Sequence, residues 1–170
     1  MKIGITGDTH GYMACLEQIL QLAPDVDMWL HTGDHAEDAF ELESLTDVRV
    51  IGVLGNCDYD AKQAHIDEFL ELEGYKIWLT HGHRYMGTGR IEDLAWWAKK
   101  LEADIVIYGH THVPMNEYYG EKLLINPGSP ARPRGGSKPS FAVLTLVKGQ
   151  KPSVEFVELP ERERSYFSIF

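Results

Sequence analysis

The chain has 170 residues, a formal net charge of −10 and 44% hydrophobic residues. At this length it can bury about two-thirds of its unfolded surface, so we expect a single domain over residues 1–170. The acidic balance argues against nucleic acid as the main partner, because nonspecific phosphate binding needs clustered Lys and Arg. Two cysteines, no run of about eighteen apolar residues and no apolar secretory core in MKIGITGDTH together predict a cytoplasmic protein without membrane contact.

Short apolar runs alternate with helical patterns in the first part of the chain. The run Lys2–Thr6 precedes a helix predicted over Tyr12–Leu22, and MWLHTGD (residues 28–34) precedes a helical stretch near Glu37–Leu45. The run VRVIGVLGN (residues 48–56) follows. This alternation predicts repeated βαβ units with parallel strands, and ligands of such sheets collect beyond the carboxyl ends of the strands.

The pattern changes after residue 66. The runs Phe69–Glu73 and Tyr75–Thr80 predict a hairpin that turns at Gly74, and a helix is predicted over Arg90–Leu101, before the run Ile105–Tyr108. Turn-rich linkers join the last β runs, KLLIN, FAVLTLV and VEFVEL. We expect these last runs to form a second, largely antiparallel sheet packed against the first.

Side chains that metal ions prefer follow these apolar runs. They are Asp8, His10, Asp34, Asn56, His81, His110 and His112. In D-x-H and H-x-H, side chains two residues apart on an extended segment point the same way, so each pair is expected to reach one ion. A set of carboxylate, imidazole and amide donors without thiolates suits Mn, Fe, Zn, Ni or Co.

The position of Asp34 between the two halves of this set makes it the natural bridging carboxylate. Two divalent ions about 3.5 to 4 Å apart can share a water as hydroxide and stabilise the attacking and leaving oxygens of an in-line displacement. The expected cofactor is therefore a pair of divalent ions, with manganese favoured.

The motifs DTH (residues 8–10), GDH (33–35), GNCD (55–58), THGH (80–83) and GHTH (109–112) occur in this order. They resemble the calcineurin-like metallophosphoesterase superfamily, and GNCD, THGHR and the later NPGS resemble its small prokaryotic phosphodiesterase branch. The resemblance covers about residues 1–145. It implies an α/β fold of two packed β-sheets flanked by helices, in four layers α/β/β/α, with a dinuclear site at one end.

The resemblance also implies a ligand set and an activity. One ion would bind Asp8, His10, Asp34 and His112, and the other would bind Asp34, Asn56, His81 and His110. The implied activity is hydrolysis of small phosphodiesters, in which Asp34, Asn56 and His81 hold the geometry around phosphorus. Homo-oligomerisation is left open. The rival functions are a monoesterase or nuclease of the same fold, and a binding scaffold such as the retromer subunit that resembles this fold.

The chain departs from the resemblance at Cys57, where many members of the superfamily have the histidine of GNHD. A neutral thiol is a poor general acid for a departing alkoxide, which predicts a preference for leaving groups such as phenolates. A role for Cys57 as a thiolate nucleophile is disfavoured. Cysteine phosphatases close their phosphate loop with an arginine six positions later, where this chain has Gln63.

For four further side chains the sequence allows both a functional and a structural interpretation. His35 follows the predicted bridging carboxylate and could support the ligands or touch substrate. Arg132 or Arg134, in the Pro- and Gly-rich loop over residues 126–140, could clamp a phosphate, or both could be solvated turn residues. His31 lies inside an apolar run, so a packed or hydrogen-bonded core histidine is the favoured interpretation.

Overall fold

The structure is a computed structural model that describes residues 1–59, 64–87 and 89–160. Its strands are β1 (Lys2–Thr6), β2 (Met28–His31), β3 (Arg49–Gly52), β4 (Asp67–Leu72), β5 (Tyr75–Thr80), β6 (Ile105–Ile107), β7 (Met115–Tyr119), β8 (Lys122–Asn126), β9 (Ser140–Thr145) and β10 (Ser153–Glu158). Its helices are α1 (Met13–Leu22), α2 (Glu37–Ser44) and α3 (Glu92–Lys100). None of these helices is both long and apolar enough to cross a bilayer.

The first sheet has the strand order β10-β9-β1-β2-β3. Strands β1, β2 and β3 are parallel, and α1 and α2 form the crossovers between them, as the alternating pattern predicts. Because these three strands run in the same direction, the loops that follow them leave the sheet at the same edge.

The second sheet has the strand order β4-β5-β6-β8-β7. The central strands β5, β6 and β8 are parallel, while β4 and β7 pair antiparallel at the two edges. Helix α3 connects β5 to β6, with two acidic residues in its first turn and two lysines in its last turn. These charges stabilise the helix, because the acidic side chains lie near the positive end of the helix dipole and the lysines near its negative end.

Apolar side chains of the two sheets pack face to face and form the central core. Ile3, Ile5 and Leu30 of the first sheet meet Ile77 and Ile107 of the second in this cluster. A second cluster fills the space between the first sheet and helices α1 and α2, and a third fills the space between the second sheet and α3. The predicted four-layer α/β/β/α architecture is thereby confirmed.

The prediction that the last three β runs build a second, largely antiparallel sheet is wrong for β9 and β10, and of these runs β8 alone joins that sheet. Strands β9 and β10 extend the first sheet beside β1, while β8 pairs parallel with β6 in the second sheet. Strand β9 carries apolar residues on both faces: Phe141 packs under the helices, and Ala142 and Leu144 pack in the central core. It therefore needs packing partners on both faces of the sheet, and the position beside β1 provides them. Strand β7 was not predicted, because MNEYY lacks an apolar alternation.

Candidate metal centre

The metal-preferring side chains lie in loops that follow β1, β2 and β3 of the first sheet and β5 and β6 of the second. Several contacts join the sheets at this edge. The backbone N–H of His110 donates to Asp8 Oδ2 (3.0 Å), and His81 Nδ1 lies 2.8 Å from the backbone oxygen of Thr32. The carboxyl ends of the parallel strands in both sheets therefore open onto one site.

The site loops have an unusual backbone. The left-handed region of φ is occupied by Asp8 (51°), His10 (49°), Asp34 (55°), His35 (75°), His110 (68°) and His112 (59°). The expectation that D-x-H and H-x-H are extended is therefore wrong, because both motifs lie in tight loops beyond the strand ends. For residues other than glycine, the left-handed region of φ is higher in free energy than the right-handed one. Such conformations cluster at functional sites.

The first half of the site consists of Asp8, His10, Asp34 and His112, whose donor atoms all lie within 4.8 Å of one another. His112 Nε2 is 3.1 Å from Asp8 Oδ1 and 3.4 Å from His10 Nε2. Asp8 and Asp34 are 0% and 3% exposed. Two carboxylates are thus withdrawn from water, with the imidazoles of His81 and His112 beside them.

A buried oxygen with poor hydrogen bonding marks this half of the site. Among the described residues no group donates a well-directed hydrogen bond to Asp8 Oδ1, and its near neighbour is His112 Nε2 at 3.1 Å. An unsatisfied buried carboxylate oxygen is costly unless a proton or a cation occupies its direction. The donor set, two carboxylate and two imidazole side chains, fits a divalent metal ion.

The second half of the site consists of Asn56, His81 and His110, next to the shared Asp34. Asn56 Oδ1 lies 3.0 Å from His81 Nε2 and 2.8 Å from His110 Nδ1, and His81 Nε2 lies 3.4 Å from Asp34 Oδ1. One amide oxygen and two ring nitrogens therefore converge beside the carboxylate. The predicted residues of both halves are brought together in one place.

Backbone carbonyl oxygens orient two of the rings. His81 Nδ1 contacts the oxygen of Thr32, and His112 Nδ1 contacts the oxygen of Arg132 at 2.6 Å. A carbonyl oxygen only accepts, so Nδ1 carries the proton in each ring. In the neutral ring the lone pair of Nε2 then faces the site, which is the tautomer that a metal ion requires.

Burial and neighbouring groups shift the pKa values of four side chains of the metal-free site. Burial lowers the pKa of His10 and of His110, and the proximity of Arg132 to His10 and of His81 to His110 lowers it further. Burial alone would raise the pKa of Asp34, but His81 and the hydrogen bonds from Cys57 outweigh it and the pKa is lowered. His112 differs: burial opposes its charge, yet contact with Asp8 raises its pKa overall.

Two glycines allow the loops to approach the carboxylates. A Cβ atom at Gly55 would lie 2.2 Å from Asp34 Oδ1, and one at Gly109 would lie 2.7 Å from Asp8 Oδ2. Any side chain at these positions would displace the carboxylates. Gly55 and Gly109, which adjoin predicted ligands, thus allow the loop backbone to lie close to the carboxylates.

Four polar side chains that the sequence analysis did not single out hold the ligand loops in place. Asp58 accepts backbone hydrogen bonds from His35, Ala36 and Gly55. The other contacts are Gly11 N to Asp38 Oδ2, Ser129 Oγ to the oxygen of Asp8, and Asn126 Nδ2 to the oxygen of Gly109. Asp58, Asn126 and Ser129 lie inside the GNCD and NPGS motifs, so the motifs contained a signal, but the partner of each side chain was not visible in sequence.

Cys57 forms two hydrogen bonds with the Asp34 carboxylate. Its backbone N–H donates to Asp34 Oδ1 (2.9 Å), and its thiol donates to Asp34 Oδ2 (3.2 Å). Burial, the hydrogen bond to Asp34 and nearby carboxylates raise its pKa to about 11. The thiol is therefore protonated at neutral pH, which counts against a thiolate nucleophile.

The remaining candidate side chains surround the site at greater distance. The exposed His35 ring lies 6.4 Å from the His10 ring, centroid to centroid. Arg132 and Arg134 are both exposed, and the backbone of each bonds to His112. The loop that carries the two arginines is thus anchored beside the first half of the site, which leaves both of them near it.

His31 is fully buried, as the sequence predicts for a core histidine, and its ring nitrogens contact Thr9 Oγ1 (3.0 Å) and the backbone N–H of Gly33 (3.2 Å). The half-buried His83 ring lies 5.2 Å from the His81 ring. Neither side chain is part of the two clusters described above.

Comparison with known proteins places this site in context. Residues 1–149 match the calcineurin-like phosphoesterase superfamily domain. A probable metallophosphoesterase of Methanocaldococcus jannaschii is 36% identical over 165 residues, which cover 95% of this chain and 83% of that protein. The phosphodiesterase YfcE of Escherichia coli K12 is 32% identical over 167 residues, which cover 85% of this chain and 87% of that protein.

Solved structures share the same architecture. A predicted phosphoesterase from Streptococcus pneumoniae superposes with a TM-score of 0.78 at 30% identity, covering 94% of this chain and 92% of that one. Vps29 of Entamoeba histolytica, complexed with Zn²⁺, superposes with a TM-score of 0.73 at 24% identity, covering 92% of this chain and 98% of that one. The likeness to Vps29 shows the fold alone.

Proposed function

We propose that this chain, which belongs to the calcineurin-like phosphoesterase superfamily, hydrolyses small phosphodiesters with the help of two divalent metal ions. The resemblance seen in the five sequence motifs is confirmed, and the protein is a phosphoesterase with a cluster suited to divalent metal binding. The number of ions, their identity and the preference among substrates are the proposed part.

The observation that carries the proposal is the convergence of two donor clusters on one shared carboxylate. Asp34 lies in the first cluster and also 3.4 Å from His81 Nε2 of the second. The first cluster contains the poorly hydrogen-bonded oxygen of Asp8, and the second contains an amide oxygen between two ring nitrogens. A carboxylate between two such sets can bind one ion with each oxygen.

The residues would hold the two ions as follows. Asp8, His10 and His112 would bind the first, Asn56, His81 and His110 would bind the second, and Asp34 would bridge them. When bound, two such ions activate a water for in-line attack on phosphorus and stabilise the leaving oxygen.

The chain itself contributes rigidity and orientation. Hydrogen bonds from ring Nδ1 to backbone carbonyl oxygens fix the rings of His81 and His112, and the amide oxygen of Asn56 lies between two imidazole nitrogens. Arg132 or Arg134 would steady the phosphate from the adjoining loop. Preorganised groups of this kind lower the barrier because they need not reorient during the reaction.

Cys57 supports a preference for good leaving groups. Its pKa, raised to about 11, keeps the thiol neutral at pH 7, and its proton is donated to Asp34. It therefore lacks the positive charge with which an imidazolium would assist a departing alkoxide. We infer faster turnover of aryl than of alkyl diesters.

The wider proposal follows from composition and family. We propose a single domain over residues 1–170, of which residues 60–63, 88 and 161–170 lie outside the described part. We also propose a cytoplasmic protein that favours manganese over nickel, iron, zinc or cobalt. The acidic charge of −10 supports small phosphoesters rather than nucleic acid as substrates.

A metal-removal experiment tests the proposal. Protein stripped with a chelator should lose turnover of an aryl phosphodiester and regain it with Mn²⁺, to different degrees with Ni²⁺, Fe²⁺, Zn²⁺ and Co²⁺. Asp34→Ala should lower kcat by about a hundred- to a thousandfold. The matched control is Asp47→Ala at an exposed carboxylate, which should leave kcat unchanged.

The same assay separates the rival functions. Activity that survives chelation, or an Asp34→Ala protein that turns over normally, would refute the metal mechanism. A binding scaffold would give no turnover with any ion, whereas comparison of mononucleotide, cyclic nucleotide and oligonucleotide substrates would reveal a monoesterase or a nuclease.

A further inference from the structure

We propose that the buried His31 is a positioning residue that sets the geometry of the first half of the metal centre. It would do so by locking the loop after β1 to the loop after β2. The inference rests on the proposed metal-binding role of Asp8, His10, Asp34 and His112, and it adds a residue that does not touch the ions.

His31 occupies the last position of β2, where it pairs with Thr6 of β1 and Gly52 of β3. Its side chain lies on the same face of the strand as that of Trp29, the face covered by helices α1 and α2. It is 0% exposed. The ring therefore lies beneath the point where both ligand loops leave the sheet.

The hydrogen bonds of His31 define its tautomer. The backbone N–H of Gly33 can only donate, so Nδ1 accepts and carries no proton. The proton is then on Nε2, which donates to Thr9 Oγ1 at 3.0 Å. Burial lowers the pKa of His31, in agreement with a neutral ring.

These two hydrogen bonds close a ring of contacts between the loops. Gly33 donates its N–H to His31, while its carbonyl oxygen accepts the N–H of Asp8 at 2.9 Å. Thr9, the residue between Asp8 and His10, accepts from His31. The residues that adjoin three of the four donors in the first half are thus tied to one side chain.

The lock matters because the loops are strained. Asp8, His10 and Asp34 all adopt positive φ between 49° and 55°, and such conformations persist only when the surrounding structure enforces them. An aliphatic residue at position 31 would pack at lower desolvation cost but would leave the Gly33 N–H and the Thr9 hydroxyl without this partner. A buried neutral imidazole accepts the hydrogen bond of the Gly33 N–H and donates one to the Thr9 hydroxyl.

The test uses pairs of matched variants with calorimetric titration of Mn²⁺ into the metal-free full-length protein. Thr9→Val removes the acceptor at nearly constant shape and should weaken the tighter Mn²⁺ site by about tenfold. Thr9→Ser keeps the hydroxyl and should restore binding to the wild-type level. The control is Thr6→Val, since the buried Thr6 hydroxyl has no partner among the described residues and its loss should not change the affinity.

A double-mutant cycle tests whether the effect passes through His31. His31→Asn retains an acceptor near the Nδ1 position but does not reach Thr9, so it should weaken Mn²⁺ binding as Thr9→Val does. The two changes together should weaken it no further, because both break the same contact. Urea unfolding of each metal-free variant identifies any loss of affinity that comes from partial unfolding.

The outcomes separate this inference from the proposed function. If the wild-type protein binds Mn²⁺ and Thr9→Val binds it equally well, or if Thr9→Ser is as impaired as Thr9→Val, the role of His31 is refuted and the metal centre stands. If the wild-type protein binds no divalent ion, both fall. Nitrogen NMR of the metal-free protein should show the proton on His31 Nε2, and a proton on Nδ1 would also overturn the lock.

Discussion

The two halves of the candidate metal centre are built differently. The first half has two carboxylates that are almost fully buried, and one oxygen of Asp8 lacks a well-directed hydrogen bond from the described residues. The second half adds amide and imidazole donors, of which Asn56 is exposed, His110 is half-buried and His81 is buried. Both halves share Asp34, so the difference lies in the charge and burial of the other donors.

This difference predicts unequal affinities. A divalent ion in the first half would neutralise two negative charges in a site with little access to water, where electrostatic interactions are strong. An ion in the second half would meet imidazole and amide donors in a more solvated setting. We therefore expect one firmly held ion and one that exchanges more readily.

The largest effect should come from removing a donor in each half. Asp8→Asn should lower the affinity of the tighter Mn²⁺ by about a hundredfold or more, because an anionic buried donor is lost. Asn56→Ala should weaken only the second ion, by about tenfold. Calorimetry and metal content after gel filtration measure both, and equal loss of both ions in either variant would contradict the asymmetry.

A smaller effect should follow when the second half gains a proton donor. Cys57→His places an imidazole at the exposed end of the GNCD loop and should raise the turnover of alkyl relative to aryl diesters by about a hundredfold at most. Steady-state kcat with a matched pair of diesters provides the ratio. Cys57→Ser is the control, since a hydroxyl also lacks the positive charge of an imidazolium. A Cys57→His protein with an unchanged ratio of alkyl to aryl turnover would refute the proposal that Cys57 sets the preference for good leaving groups.

The smallest effect concerns the thiol that joins the second half to the shared carboxylate. The fold raises the pKa of Cys57 from 9.0 to about 11, so the protonated form is favoured and thiolate forms only as the pH approaches 11. At pH 8 the raised pKa leaves far fewer thiolates in the folded protein, but each thiolate is more nucleophilic and partly offsets the loss. Alkylation of Cys57 in the metal-free protein should therefore be about tenfold slower than in the unfolded chain.

Peptide mapping distinguishes Cys57 from the buried Cys15 in this measurement. Asp34→Asn removes the negative charge that holds the proton, so it should speed alkylation toward the rate of the unfolded chain. A folded wild-type protein that reacts as fast as the unfolded one would show that the contact between the thiol and Asp34 does not persist in solution.

Much of the site was predictable because its donors follow strands closely along the chain. Asp8, Asp34 and His81 each come within three residues of a strand end, and parallel strands bring their carboxyl ends to one edge. The helices and strands of the first half of the chain also agreed with their predicted positions to within a few residues. Local patterns suffice for these features because hydrophobic periodicity reflects which face of an element is buried.

Other features depend on contacts between residues far apart in the chain. The pairing of β9 with β1 joins residues about 140 positions apart, and no local pattern indicates which edge a strand will choose. The left-handed backbone at His10 and His112 was missed for the same reason: the surrounding contacts hold it there, against the preference of the residues themselves.

The amino-acid sequence by itself determined the chemistry of this protein, because the order of carboxylate, imidazole and amide side chains after apolar runs is a local property of the chain. Only the tertiary structure decided how the two halves differ. Burial, the poorly hydrogen-bonded oxygen of Asp8, and the contacts of His31 and Cys57 arise where two sheets and their loops meet, and those distances exist only once the chain has folded.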